Sequence, residues 1–268
     1  MHEQDGLNLW MAIKNIRELA PLIHNITNYV VMNSSANALL AIGASPVMAH
    51  AEEEMADMVG IASALIINIG TLSQPWVKSM FKAAAQAATR GIPIVLDPVG
   101  AGATPYRTDT VRELVAATPP TIIRGNASEI MALFGARVRT KGVDSTVASA
   151  TALEAAQALQ GSLGSVVCIS GETDYIVGDK ALFRVRNGHP MMTRVTGLGC
   201  TATALCGAFA AVTSDPARAA AQAMAVMGIA GEMAAEKSEG PGTMQMHFLD
   251  ALYRLTEDDI TQRLRLEA

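Results

Sequence analysis

Ile92-Pro93-Ile94-Val95-Leu96-Asp97-Pro98-Val99-Gly100-Ala101-Gly102 is a short apolar run that stops at a carboxylate and opens into a loop of proline and glycine. Bounded in this way, the run reads as a strand buried on both faces. Residues 64–68 (Ala-Leu-Ile-Ile-Asn), 121–124 (Thr-Ile-Ile-Arg) and 165–170 (Ser-Val-Val-Cys-Ile-Ser) read the same way, and each also ends in polar residues. Helical patterns fall around and between them, over 27–42, 75–89, 107–117, 127–134 and 145–159. This alternation predicts an α/β fold, with a central, mostly parallel sheet flanked by helices on both faces. Ligands of open parallel sheets gather beyond the carboxyl ends of the strands, so the polar strand ends are the places to look for chemistry.

Further along, 175–177, 182–186 and 191–195 read as shorter strands joined by Gly-Asp and Asn-Gly turns, an antiparallel edge to the sheet. From Cys200 the chain reads as helical to its end, with Pro216 opening a long Ala- and Met-rich helix and Gly240-Pro241-Gly242 breaking it. Met224, Met227 and Met233 lie on or near one face of that helix and are expected in the core. No repeat or linker divides the 268 residues, which are read as a single domain over 1–268.

Half of the residues are hydrophobic, the net charge is -5 from 20 basic and 25 acidic residues, and aromatics make up only 4%. That balance offers neither the basic footprint nor the stacking platforms of a nucleic-acid binder. The first six residues are mixed in charge, and no apolar stretch suits a bilayer span, so the expectation is a cytoplasmic chain without a membrane partner. Cys168, Cys200 and Cys206 lack metal-like spacing and make an odd set, as expected of reduced thiols.

Asp97 could hold a hard cation, since magnesium takes one or two carboxylates and completes its shell with water and phosphates; it could equally only start a turn. Arg124-Gly125-Asn126-Ala127-Ser128-Glu129 ends the next strand. Asn126 and Glu129 are spaced as a helix cap, whereas Arg124 beside Asp97 suits polyphosphate recognition. Ser170-Gly171 offers a hydroxyl and a close-approach glycine, or a simple hairpin turn. Gly197-Leu198-Gly199-Cys200-Thr201-Ala202 runs straight into a helix whose first free N–H groups suit an anion. The helix start would favour the Cys200 thiolate. The formal dinucleotide fingerprint there lacks its following strand and acidic residue, and no Walker A sequence occurs. Near the N-terminus, Asn28 and Met48 suit a small-molecule pocket, while His24 and His50 receive no catalytic role.

Six segments in order resemble the motif set of the hydroxyethylthiazole kinase family. They are His24-Asn25-Ile26-Thr27-Asn28, Ala44-Ser45-Pro46-Val47-Met48-Ala49, Asn68-Ile69-Gly70-Thr71-Leu72, the run from Leu96 to Gly102, the run from Arg124 to Glu129, and Thr196-Gly197-x-Gly199-Cys200. The resemblance covers nearly the whole chain. It implies a ribokinase-like fold and magnesium- and ATP-dependent phosphorylation of the hydroxyethyl group of 5-(2-hydroxyethyl)-4-methylthiazole, a salvage step toward thiamine. It also implies a homotrimer with the thiazole pocket at the subunit interface. By motif position, Met48 and Gly197 would contact the thiazole, with Asn28 near its hydroxyl, and Arg124 and Ser170 would bind ATP. Asp97 and Glu129 would organise magnesium, and Cys200 would stand where most ribokinase-like kinases carry a catalytic Asp. Rival readings are another small-alcohol kinase of the same fold and a catalytically silent nucleotide or thiazole sensor. The Asn25 to Asn28 segment with Cys200 opposes the first, and retention of Asp97, Arg124 and Glu129 opposes the second.

Overall fold

A computed structural model of the chain describes residues 2–135 and 145–268. In chain order, α1 (His2–Leu19), β1 (Leu22–Ile26), α2 (Met32–Ile42), β2 (Ser45–Val47), α3 (Met55–Ile61), β3 (Ala64–Asn68), α4 (Gln74–Arg90), β4 (Ile94–Asp97), α5 (Pro105–Ala117), β5 (Ile122–Asn126) and α6 (Ala127–Phe134) make up the first part. From residue 145 onward come α7 (Ser145–Leu163), β6 (Val166–Ser170), β7 (Asp174–Val177), β8 (Leu182–Val185), α8 (Leu198–Ala210), α9 (Pro216–Ala235), α10 (Pro241–Arg254), α11 (Glu257–Arg263) and β9 (Leu266–Glu267).

Among the described residues the strands form one nine-stranded sheet in the order β2-β1-β3-β4-β5-β6-β7-β8-β9. The pairings are parallel from β2 through β6 and antiparallel from there to β9. Side chains alternate across each strand, and both faces are buried. Ile23, Ile66, Val95 and Ile122 join one core cluster with α1, α2, α8, α9 and α10, whereas Ile26, Leu65, Ile67, Leu96 and Ile123 join a second with α3 to α7. Helices therefore cover both faces, as the strand and helix alternation predicts. Met224 and Met227 are buried in the first cluster and Met233 packs against it, as expected for core methionines. No helix among the described residues is long and apolar enough to cross a membrane.

Several expectations change, among them the helical reading of the chain to its end, which closes instead in the strand β9. The 27–42 pattern becomes helical only at Met32, because His24 to Ile26 complete β1 and the next residues turn into the site. The N-terminal residues form a long helix that buries Leu9, Ile13 and Ile16 at helical spacing. The strand expected over 191–195 is instead a short 3-10 turn, Pro190–Arg194, in which the His189 ring accepts from Met191 N at 3.2 Å. The preceding Asn-Gly pair makes no hairpin because the Asn187 amide donates to Arg263 O at 2.7 Å and accepts from Arg265 N at 2.8 Å. Those bonds bring the C-terminal residues beside β8, and β9 takes the sheet edge.

Candidate active site

Strand alternation assembles the polar groups. Ile66, Val95, Ile122 and Cys168 face the core beneath α8. Two residues further along, Asn68, Asp97, Arg124 and Ser170 therefore emerge on the same face, with Asn68, Asp97 and Ser170 closing β3, β4 and β6 and Arg124 two residues before the end of β5. Asn68 and Asp97 are register partners across β3 and β4.

Asp97 is 1% exposed, and its Oδ2 accepts from Asn68 Nδ2 and from Thr203 Oγ1, each at 2.8 Å. Burial, partly offset by the Arg124 charge, raises its pKa from 3.8 to about 6. Arg124 is 8% exposed, and its Nε is buried with no hydrogen-bond partner among the described residues. Burial opposes the guanidinium charge, but the negative groups around it, Asp97 foremost, hold its pKa above the ordinary value. A buried cation with an orphaned donor is costly unless an anion completes it.

The glycine turn explains where that anion would sit. Gly197 has φ +84°, and a Cβ there would fall 2.7 Å from Val31 Cγ1, so both its conformation and its space call for glycine. Gly199 serves a different end, since its Cβ would fall 3.0 Å from Arg124 Nη1. The guanidinium thus lies along the first turn of α8. The first hydrogen bond from the helix start is Thr201 N to Gly197 O, which leaves the N–H groups of Leu198, Gly199 and Cys200 directed outward. Leu198 itself packs against the core.

Cys200 departs from expectation. Its thiol is half-buried beside Asp97, and burial first, then the carboxylate charge, push its pKa from 9.0 to about 11. The helix start does not produce a thiolate here, because desolvation and a nearby anion outweigh it. Asn28 Nδ2 approaches Cys200 Sγ at 3.5 Å.

The segment after β5 realises the capping alternative. Glu129 N donates to Asn126 Oδ1 at 3.0 Å, and Asn126 N donates to Glu129 Oε2 at 2.9 Å. Glu129 Oε1 also accepts from Gly100 N at 2.9 Å, so the cap reaches the loop after Asp97. Ser170 Oγ donates to Gly125 O at 3.4 Å. Sequence reasoning passed over Arg107, whose Nη1 donates to Ile69 O and Val99 O at 2.8 Å and whose Nη2 donates to Gly70 O at 2.6 Å, tying the loops after β3 and β4 together. It also passed over Asn68 as a site residue, although its place at a strand end was the same signal that marked Asp97.

On the other side, Asn28 is 4% exposed and donates to Asn68 Oδ1 at 2.8 Å. Met48 is half-buried in the loop after β2, and the next residue, Ala49, accepts through its carbonyl from His24 Nε2 at 2.9 Å. Tyr29 and His50 pack at a tilt against Trp76, with ring centroids 4.6 and 4.5 Å away. A surface cavity of about 390 Å³ bounded by Gln157, Gln160, Lys180 and their neighbours shares none of these residues.

The model of the hydroxyethylthiazole kinase family matches residues 13–258. The chain belongs to the hydroxyethylthiazole kinase family. A hydroxyethylthiazole kinase of Syntrophus aciditrophicus (strain SB) is 68% identical to it over 262 residues, 97% of each chain. The solved structure of a hydroxyethylthiazole kinase protein from Pyrococcus horikoshii OT3 is 43% identical and superposes with a TM-score of 0.90 over 97% of this chain and 98% of that one. A ribokinase-like superfamily protein of Enterococcus faecalis V583 gives a TM-score of 0.66 at 15% identity, covering 89% of this chain and 87% of its own, which shows the shared fold. The ribokinase-like fold expected for a hydroxyethylthiazole kinase is thus the fold observed, and the chain is an alcohol-phosphorylating kinase.

Proposed function

We propose that this kinase transfers the γ-phosphoryl group of ATP to the hydroxyl of 5-(2-hydroxyethyl)-4-methylthiazole, as a salvage step toward thiamine. The observation that carries the reading is the buried Arg124 guanidinium, lying on the first turn of α8 with Nε unpartnered. It and the outward N–H groups of that turn would bind the ATP phosphates, with the Ser170 hydroxyl beside them. Met48 and Gly197 would line the thiazole ring, and the Asn28 amide would meet its hydroxyl side.

Asp97 and Glu129 suit a magnesium ion that keeps most of its water, since both are hard oxygen donors and no cluster of three or more His, Cys, Asp or Glu among the described residues could hold a metal by itself. Bound there, the ion would supply charge neutralisation on the phosphates. Cys200 would act as a neutral thiol close to the reacting hydroxyl. In a loose phosphoryl-transfer transition state the hydroxyl proton leaves late and can pass to an oxygen of the transferred phosphoryl group, so a preformed thiolate is not required. Most of the rate then comes from placement and electrostatics.

We place the chain as one catalytic domain in the cytoplasm, in keeping with three free thiols. We further propose a homotrimer that covers the mouth of the thiazole pocket. Tyr29 and Val30 support this, being 63% and 65% exposed directly after Asn28. ADP release from magnesium-ATP across a panel of small alcohols tests the activity. Release should depend on the thiazole and stop with EDTA, and an equal response to unrelated alcohols would contradict the reading.

A further inference from the structure

The hydrogen bonds of Asn68 join two halves of the site. Asn68 is 1% exposed at the end of β3. Its Oδ1 accepts from Asn28 Nδ2 at 2.8 Å and from Gly70 N at 2.9 Å, while its Nδ2 donates to Asp97 Oδ2 at 2.8 Å. The amide has one workable orientation. Reversed, it would set donors against two N–H groups and its oxygen against a carboxylate. Asn28 is fixed in turn, because its Oδ1 accepts from Val30 N at 3.1 Å, so its Nδ2 faces both Asn68 and, at 3.5 Å, Cys200 Sγ.

We propose that Asn68 is a positioning residue that couples the acceptor half of the site to its phosphate half. Through Oδ1 it holds Asn28 against the Cys200 thiol, and through Nδ2 it holds the Asp97 carboxylate. The inference rests on the kinase reading above and extends it to a residue assigned no contact with either substrate. Thr203 supplies an internal contrast. Its Oγ1 donates to the same Asp97 Oδ2 at 2.8 Å, yet its other hydrogen bond is to Gly199 O at 3.4 Å, on α8, with no link to Asn28. Asn28, Asn68, Asp97 and Thr203 are all buried, so each broken bond strands a polar group out of water.

The test compares the wild type with Asn68→Ala, Thr203→Val, Asn28→Ala and the Asn28→Ala/Asn68→Ala double variant. The readouts are calorimetric binding of hydroxyethylthiazole without nucleotide, kcat and KM for both substrates, and Tm. Asn68→Ala should weaken thiazole binding and lower kcat, each about tenfold. Thr203→Val should impair kcat or the KM for ATP while thiazole binding stays within about twofold. In the Asn28→Ala background, Asn68→Ala should weaken thiazole binding no further, because the group it acts through is gone. Unchanged thiazole affinity in Asn68→Ala, equal weakening by Thr203→Val, or full additivity in the double variant would overturn the proposal. Should Asn68→Ala not fold, Asn68→Asp keeps the acceptors for Asn28 and Gly70 and replaces the donor to Asp97 with a second carboxylate oxygen that repels it. It should then keep near-wild-type thiazole affinity with a collapsed kcat, and lost affinity would overturn the coupling. A wild type that neither binds the thiazole nor releases ADP with it would sink the kinase reading instead, so the two failures are distinct.

Discussion

Arg124 brings a full charge into a site where it is 8% exposed and its Nε has no partner among the described residues, which leaves a cation poised for an anion. Arg124→Met should therefore lower kcat/KM for ATP by about a hundredfold, the scale of one or two charge-assisted hydrogen bonds. It should also abolish the rise in Tm that ATP gives the wild type. Cys200→Ala should lower kcat by about a hundredfold with little change in Tm, and Cys200→Asp should retain more activity than the alanine variant. Steady-state kinetics beside thermal melts would check both. His24 gives a pH prediction. Burial, opposed by the Ala49 hydrogen bond and the Glu54 charge, lowers its pKa from 6.5, and protonation would leave a second buried N–H unpartnered. The unfolded chain takes up this proton first, so the His24 contribution to stability is lost as pH falls through 6.5. Asp97 and Asp174, whose pKa values burial raises to about 6, act with the opposite sign, but they are common to wild type and His24→Gln. On acidification from about pH 7.5 to about 5.5, the wild type should thus lose more Tm than His24→Gln. Asp97, Arg124 and Ser170 were legible because charge or a hydroxyl at a strand end is a conspicuous signal. The state of Cys200 was not, because the burial and then the Asp97 carboxylate that raise its pKa both come from parts of the chain far away in sequence. That Gly199 leaves room for Arg124 was not legible either, because the two residues meet only once β5 lies beneath α8.

The parallel strands β3 to β6 were legible as apolar runs bounded by polar residues, and α6 was legible to its ends because Asn126, Glu129 and Gly135 mark both caps. The 3-10 turn at Pro190–Arg194 was not legible, since its stability comes from His189 and from long-range bonds of the Asn187 turn to the C-terminus. α1 was not legible although Leu9, Ile13 and Ile16 carry its period, because charged and polar residues precede and interrupt that period. α8 shows how closely elements are set. A Cβ on Gly207 would overlap Ile66 Cδ1 on β3 and touch Ile23 Cγ2 at 3.4 Å. Gly207→Ala should destabilise by about 1–3 kcal/mol, at roughly 2–4 °C of Tm per kcal/mol for a chain of this size. Adding Ile66→Val removes the overlapping methyl and should restore most of the loss in thermal melts. No recovery would mean that α8 is not held against β3 at that point.

At the scale of the molecule, the alternation of strands and helices was enough to predict a sheet covered on both faces, because a parallel pair requires a crossover and each crossover must bury its apolar stripe. The same alternation places Asn68, Asp97 and Arg124 side by side beneath the start of α8, with Ser170 further along on β6, so fold and site are one consequence of strand polarity. The surface on which the proposed trimer rests was not legible in the residue pattern, since Tyr29 and Val30 show themselves exposed only once the chain is folded. In the proposed function these residues direct the γ-phosphoryl of ATP to the thiazole hydroxyl. Mass spectrometry of the products formed from magnesium-ATP and 5-(2-hydroxyethyl)-4-methylthiazole tests it most directly. Thiazole phosphorylated on its side-chain hydroxyl should form in equal amount to ADP, whereas bound but unmodified thiazole, or ADP formed without phosphorylated thiazole, would rule the transfer out.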